Sequence, residues 1–119
     1  MVVDGDDELV GKYVFKLINA AYFRMRSMAI YTNHIVSKRE VLLDIGISNA
    51  YSEEVKQKNS YRFESHLYSH LRTTWVDLFL LIKEDDFKKR NGEWFDNAVD
   101  NAMFYPIFEM SCTEVEYLS

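Results

Sequence analysis

A chain of 119 residues, 48% apolar and 28% charged, has the size and balance of one globular domain, which excludes disorder. A single cysteine, Cys112, excludes an internal disulfide and reads as a cytosolic chain. The net charge of −5 argues against nucleic acid as the main partner, and the longest strongly apolar run, Leu78 to Ile82, is far short of the ~20 residues that span a bilayer.

Few glycines and one proline favour helices over a hairpin-rich sheet, so the expectation is a single domain over 1–119 with 1–5 and 111–119 frayed. No basic, apolar leader precedes it, so no secretion signal is expected. Asp6 or Asp7 should cap a first helix. Leu9, Val10, Tyr13, Val14, Leu17, Ile18 and Ala21 form its core-facing stripe. A second helical stretch is expected from Tyr22 to Thr32, rich in Met25, Met28 and aromatic residues. Ser37-Lys38-Arg39-Glu40 has the form of a capping box ahead of Val41, Leu42, Leu43 and Ile45, so a third helix is predicted there. It weakens near Gly46 or Asn49 and can resume through Ser52 to Lys58. Asn59 or Ser60 then caps a long helix. Phe63, Leu67, Leu71, Trp75, Leu78, Phe79 and Ile82 keep helical spacing over about 35 Å at ~1.5 Å per residue. Asn91-Gly92 marks a stop or turn. A last helix is expected from Glu93, carrying Trp94, Phe95, Val99, Ala102 and Met103, with Pro106 ending or kinking it.

The chemistry-bearing residues are sparse. His66 and His70 share a helix face in this reading, but a metal site needs further ligands and none has the right spacing. Cys112 lacks a histidine that would make it a nucleophile. The carboxylates at Asp4 to Glu8 and Glu84 to Asp86 read as solvated helix ends. No catalytic constellation, metal or cofactor is expected, and the chain does not read as an enzyme. Its surplus is aromatic and thioether: eight Tyr, eight Phe, two Trp and five Met. Such residues fill cores, and they also line grooves that accept an amphipathic helix.

Asp7-Glu8-Leu9-Val10-Gly11-Lys12-Tyr13-Val14-Phe15-Lys16-Leu17 resembles the fourth homology motif of the Bcl-2 family, with a one-residue slip before Lys16. Asn59-Ser60-Tyr61-Arg62 resembles the first motif, keeping its Asn and Arg. Asn91-Gly92-Glu93-Trp94-Phe95 resembles the second, and the three follow the family's order. Leu42 to Gly46 resembles the third motif without its Asp. The Arg62-to-Trp94 spacing is shorter than in cellular members, and a rival register sets Thr74-Trp75 on the first motif. The Arg62 register leaves an apolar helix of the right length behind it. The short chain is similar to the pared-down members encoded by large DNA viruses.

The resemblance implies an all-α, Bcl-2-like bundle around a central helix, acting as an inhibitor of apoptosis. Its partners would be pro-apoptotic Bcl-2 family proteins, held through their Bcl-2 homology 3 helix in an apolar groove. Arg62 would pair with that helix's Asp, and Asn59 would be a polar neighbour. Phe63 and Leu67 would line the floor, and Met28, Tyr31, Leu42 and Ile45 the walls. Apolar groove mouths also favour a homodimer. The implied location is the host cytoplasm, with recruitment to mitochondria by partners. The alternative within this fold is an adaptor that binds host signalling proteins without the groove. A third reading, from a different class, is a metal site on His66 and His70.

Overall fold

The computed structural model describes residues 1–3, 7–38, 41–46, 48–65 and 67–119, with 37, 38 and 41–46 described in backbone only. Its elements in chain order begin with α1 (Val14–Met25), β1 (Ala29–Thr32), β2 (His34–Lys38), β3 (Val41–Gly46) and α2 (Glu53–Lys58). A 3-10 turn at Tyr61–Phe63, β4 (Ser69–Thr74), α3 (Val76–Leu80) and a second 3-10 turn at Glu84–Phe87 follow. The last two elements are α4 (Val99–Ser111) and β5 (Val115–Leu118). The fold is therefore mixed α/β, and the expected all-α bundle is overturned.

The sheet has the order β4-β1-β5. β1 runs antiparallel to β4, with Ala29 opposite Thr74 and Tyr31 opposite Arg72. It runs parallel to β5, with Ala29 beside Val115 and Thr32 beside Leu118. Ala29, Ile30 and Tyr31 are all buried. A strand covered on both faces shows a continuous apolar run instead of alternation. That is why Met28 to Tyr31 reads equally well as helix. The expected tail from Ser111 is not frayed, because β5 fills the sheet edge beside β1.

Four further helices are corrected. The first begins only at Val14, with Tyr13 as a cap that supplies no side-chain bond, and continues to Met25, where Arg26 adopts the left-handed conformation. Asp6 lies outside the described residues. The predicted helix after Ser37 is instead the antiparallel hairpin β2-β3, with Ile35 opposite Ile45. Its β-branched Ile35, Val36, Val41 and Ile45 suit a pleated strand better than a crowded helix turn. Arg39 and Glu40 of the expected capping box lie outside the described residues. The long central helix does not form. Its span divides into the first 3-10 turn, β4 and α3, and Arg72-Thr73-Thr74 carries the β-branched pair that favours the strand. The last helix starts at Val99, later than Glu93, and Pro106 lies inside it without ending it.

Two local expectations agree with the structure. α2 has Ser52 as N-cap, whose hydroxyl accepts from Val55 N–H at 3.3 Å, with Glu53 and Glu54 at its start and Lys56 and Lys58 in its last turn. Asn91-Gly92 is a turn, with Gly92 at φ +84° and its N–H donating to the Lys89 carbonyl at 2.9 Å.

The core is aromatic. Tyr31 packs against Tyr51, Tyr68 and Phe108 at centroid distances of 6.1, 6.2 and 5.9 Å, and Tyr68 meets Phe108 edge-on at 4.9 Å. Such pairs add ~0.5–1.5 kcal/mol each beyond area burial. The Tyr31 hydroxyl donates to the Asn49 carbonyl at 2.6 Å and Tyr68 bonds Asn101 Oδ1 at 2.5 Å. The Tyr61 hydroxyl donates to the Cys112 carbonyl. Burial raises the phenols of Tyr31, Tyr51, Tyr61 and Tyr68 well above their ordinary value, so each stays protonated and can donate.

Candidate functional site

α4 has two faces. Phe104, Ile107, Phe108 and Ser111 are buried against the sheet and neighbouring aromatics. Asn101, Tyr105 and Glu109 recur at four-residue steps on another face. That polar face lines two clefts. The larger, about 380 Å³, is bounded by Arg62, Leu81, Lys83, Asp86, Pro106, Glu109 and Met110. The smaller, about 200 Å³, is bounded by Phe95, Asn97, Ala98, Asn101, Ala102 and Tyr105, again with Arg62 and Asp86. Arg62 and Asp86 are thus the wall that both clefts share.

Arg62 sits in the first 3-10 turn, held by a fork-to-fork ion pair. Its Nε donates to Glu109 Oε1 at 2.5 Å and its Nη2 to Oε2 at 3.0 Å. Asp86 Oδ1 lies 3.9 Å from Nη2, and Asp86 is fixed by accepting from the Lys83 backbone N–H at 3.0 Å. The Glu109 hydrogen bond raises the Arg62 pKa further, against the desolvation that opposes it. Burial raises the Tyr105 phenol, with the Arg62 charge pulling the other way. The arrangement can exchange one carboxylate for another on a permanently charged, planar cation. Pro106 cannot donate to the Ala102 carbonyl as a helical residue would, which leaves an acceptor without its helical donor on a cleft-lining residue.

Of the expected groove residues, the structure brings Arg62 and Asn59 together. Asn59 does not cap a long helix. It is the left-handed C-cap of α2, and its Nδ2 donates to the Glu109 carbonyl at 3.1 Å. Phe63 is 89% exposed and lines neither cleft. Tyr31 is a core residue, and Met28 and Leu67 are half-buried against that core, so none of the three lines a groove. Leu42 and Ile45 lie on β3, not on a groove-wall helix. The second-motif pair Trp94 and Phe95 precedes α4, and Trp94 bridges Lys88 instead of opening a helix. Trp75 of the rival register caps α3.

Sequence reasoning missed Glu109, Asp86, Tyr105 and Asn101. The four-residue recurrence of Asn101, Tyr105 and Glu109 along an otherwise apolar helix was the available signal. Asp86 carries none, since its approach to Arg62 is tertiary.

A second polar cluster lies on the sheet side. His34 Nδ1 and Ser69 Oγ are 2.9 Å apart, the His34 and His70 rings meet edge-on at 5.7 Å, and His70 Nε2 is 3.8 Å from Asp7 Oδ2. The carboxylate faces His70, not His34, so serine, histidine and acid are not in the relay order a nucleophile needs. His66 lies outside the described residues, and among the described residues no group of three His, Cys, Asp or Glu could hold a metal. No helix of the described residues is long and apolar enough to cross a membrane. Comparison with family models, curated proteins and solved structures gives no match to this chain.

Proposed function

We propose that this chain is a peptide-docking domain, and that the α4 cleft takes a short amphipathic segment carrying a carboxylate between apolar anchors. One observation carries the reading: Arg62 stands in the shared wall of two clefts, with Leu81, Pro106 and Met110 on one side and Phe95, Ala98 and Ala102 on the other. An incoming Asp or Glu would take the place of Glu109 on the guanidinium while apolar side chains settle to either side. Bcl-2 homology 3 helices have this pattern, so sequestration of pro-apoptotic partners, in the cytoplasm or at mitochondria reached through them, is the cellular form of the proposal. The all-helical groove is not part of it.

The test is calorimetric titration of the chain with a panel of such peptides. The Arg62 side chain is 42% exposed, so its ion pair is partly screened by water. Arg62→Ala should therefore weaken binding by about tenfold, ~1.4 kcal/mol, and not by the several decades of a fully buried pair. Glu109→Gln should strengthen it, because the internal competitor is gone. Tight binding untouched by both variants would reject this cleft, and no binding by the folded chain would reject the function.

A further inference from the structure

From Leu9 to Arg39 the sequence contains no Asp or Glu, while Lys12, Lys16, Arg24, Arg26, Lys38 and Arg39 are all cationic, in a chain whose net charge is −5. α1 lies within this segment. Only Ala21 of the helix is buried, and Tyr22 ties its last turn to the body through a hydroxyl bond with Thr73 at 2.8 Å and an edge-on contact with Trp75 at 5.6 Å. Towards its N-terminal end the helix leaves Phe15 and Leu17 exposed, and Phe23 is 88% exposed. Lys16 and Phe23 are seven apart, as are Leu17 and Arg24, so each cation shares a face with an exposed apolar side chain. Lys16, Arg24 and Arg26 have no ion pair among the described residues. α3, joined to α1 at Trp75, adds exposed Trp75, Val76 and Leu80, with the exposed acid Asp77 among them.

We propose that α1 and the adjoining α3 form a peripheral docking surface for an anionic lipid bilayer. The positive charge of Lys16, Arg24 and Arg26, unopposed along α1 and exceeding the one acid of α3, Asp77, matches a negative surface, and interleaved aromatic, Leu and basic residues suit the headgroup boundary. A bilayer is favoured over a protein partner by shape. The two clefts described above lie at α4, whereas α1 turns Val14, Ile18 and Ala21 to its covered face and leaves Phe15, Leu17 and Phe23 exposed beside its cations, and a deformable surface can cover these exposed side chains together. This docking is independent of the α4 cleft.

The experiment is co-sedimentation of the full chain with vesicles of phosphatidylcholine alone or mixed with phosphatidylserine. It is paired with emission from a Trp94→Phe chain, in which Trp75 is the remaining indole. Binding to the mixed vesicles alone is expected, with a blue shift of Trp75. It should fade between about 0.1 and 1 M salt as the screening length falls from ~10 to ~3 Å. Arg24→Gln with Arg26→Asn should lower partitioning about thirtyfold, at ~1 kcal/mol per cation, with Asn suited to the left-handed position 26. Phe23→Ser should also weaken it, and circular dichroism checks that both variants fold. A folded chain that leaves the mixed vesicles in the supernatant overturns the proposal, and so does sedimentation unmoved by both variants. Self-association reversed by Phe23→Ser, without vesicle binding, would assign the face to a second copy and overturn it too.

Discussion

Arg72 is a cation placed where water cannot reach it: its side chain is 2% exposed. Nη1 donates to Asp100 Oδ2 at 2.5 Å, the guanidinium lies 5.4 Å from the Phe104 ring centre, and Nε has no partner among the described residues. Removing one member of such a pair leaves a buried charge unopposed, which costs ~3–5 kcal/mol, whereas replacing both is far milder. Asp100 is partly exposed, so Asp100→Asn should cost about 3 kcal/mol, the low end of that range. Adding Arg72→Met should restore much of the loss, as read by urea denaturation. The same pair sets an acid limit. Burial pushes the Asp100 carboxyl up, but the Arg72 hydrogen bond and charge outweigh it and hold the pKa below the ordinary value. The folded state therefore binds this proton less readily than the unfolded chain. The stabilisation is fully present above about pH 4 and is lost as pH falls through the folded pKa. The Asp100→Asn chain should lose less stability on acidification than the parent, and equal losses would show that the pair does not set the acid limit.

The end of α4 shows how an element can be held against its own preference. Cys112, just past Ser111, sits at φ 51°, ψ −113°, a region that a side chain disfavours and glycine tolerates. What holds it is a backbone group: the Cys112 carbonyl accepts from the buried Tyr61 hydroxyl, while the thiol is exposed. Cys112→Gly keeps that acceptor and relieves the strain, so it should raise stability by ~1 kcal/mol in thermal or urea unfolding. A loss would mean that the side chain itself contributes. Elements whose causes are local were the legible ones: Ser52 to Lys58 was expected as helix, though as the resumption of one that is in fact a hairpin, and Asn91-Gly92 announces a turn. β1 and β4 were not, because a short strand buried on both faces has no period of two to read. Their pairing is decided by partners 37 to 86 residues away, as Thr32 with Ser69 and with Leu118 shows. The same reason divides the candidate site. Arg62 and Asn59 drew attention as a motif, but Glu109, which both of them touch, comes from the far end of the chain.

Across the whole molecule, stability should be graded from the sheet outwards. β1 is flanked by β4 and β5 and faces the aromatic side of α4, so Ala29, Tyr31, Phe104, Phe108 and Val115 share one buried cluster. Opening any part of it exposes the rest, which makes its amides exchange by global unfolding, at ~5–15 kcal/mol for a domain of ordinary stability. α1 is different, because Ala21 and Tyr22 fasten its last turn while Phe15 and Leu17 face solvent. Its early turns can open without disturbing β1. Hydrogen exchange followed by mass spectrometry should therefore show residues 29–32, 104–111 and 115–118 exchanging together and slowly. Residues 14–20 should exchange at least about a hundredfold faster, a gap of ~2.7 kcal/mol or more. Equal protection across α1 and α4 in the isolated chain would mean that the helix is covered by the body or by a second copy, leaving no free face for a bilayer. Fast exchange in solution that slows over 14–25 when anionic vesicles are added, with the sheet unchanged, would place the lipid contact on α1, whose early turns the core does not hold.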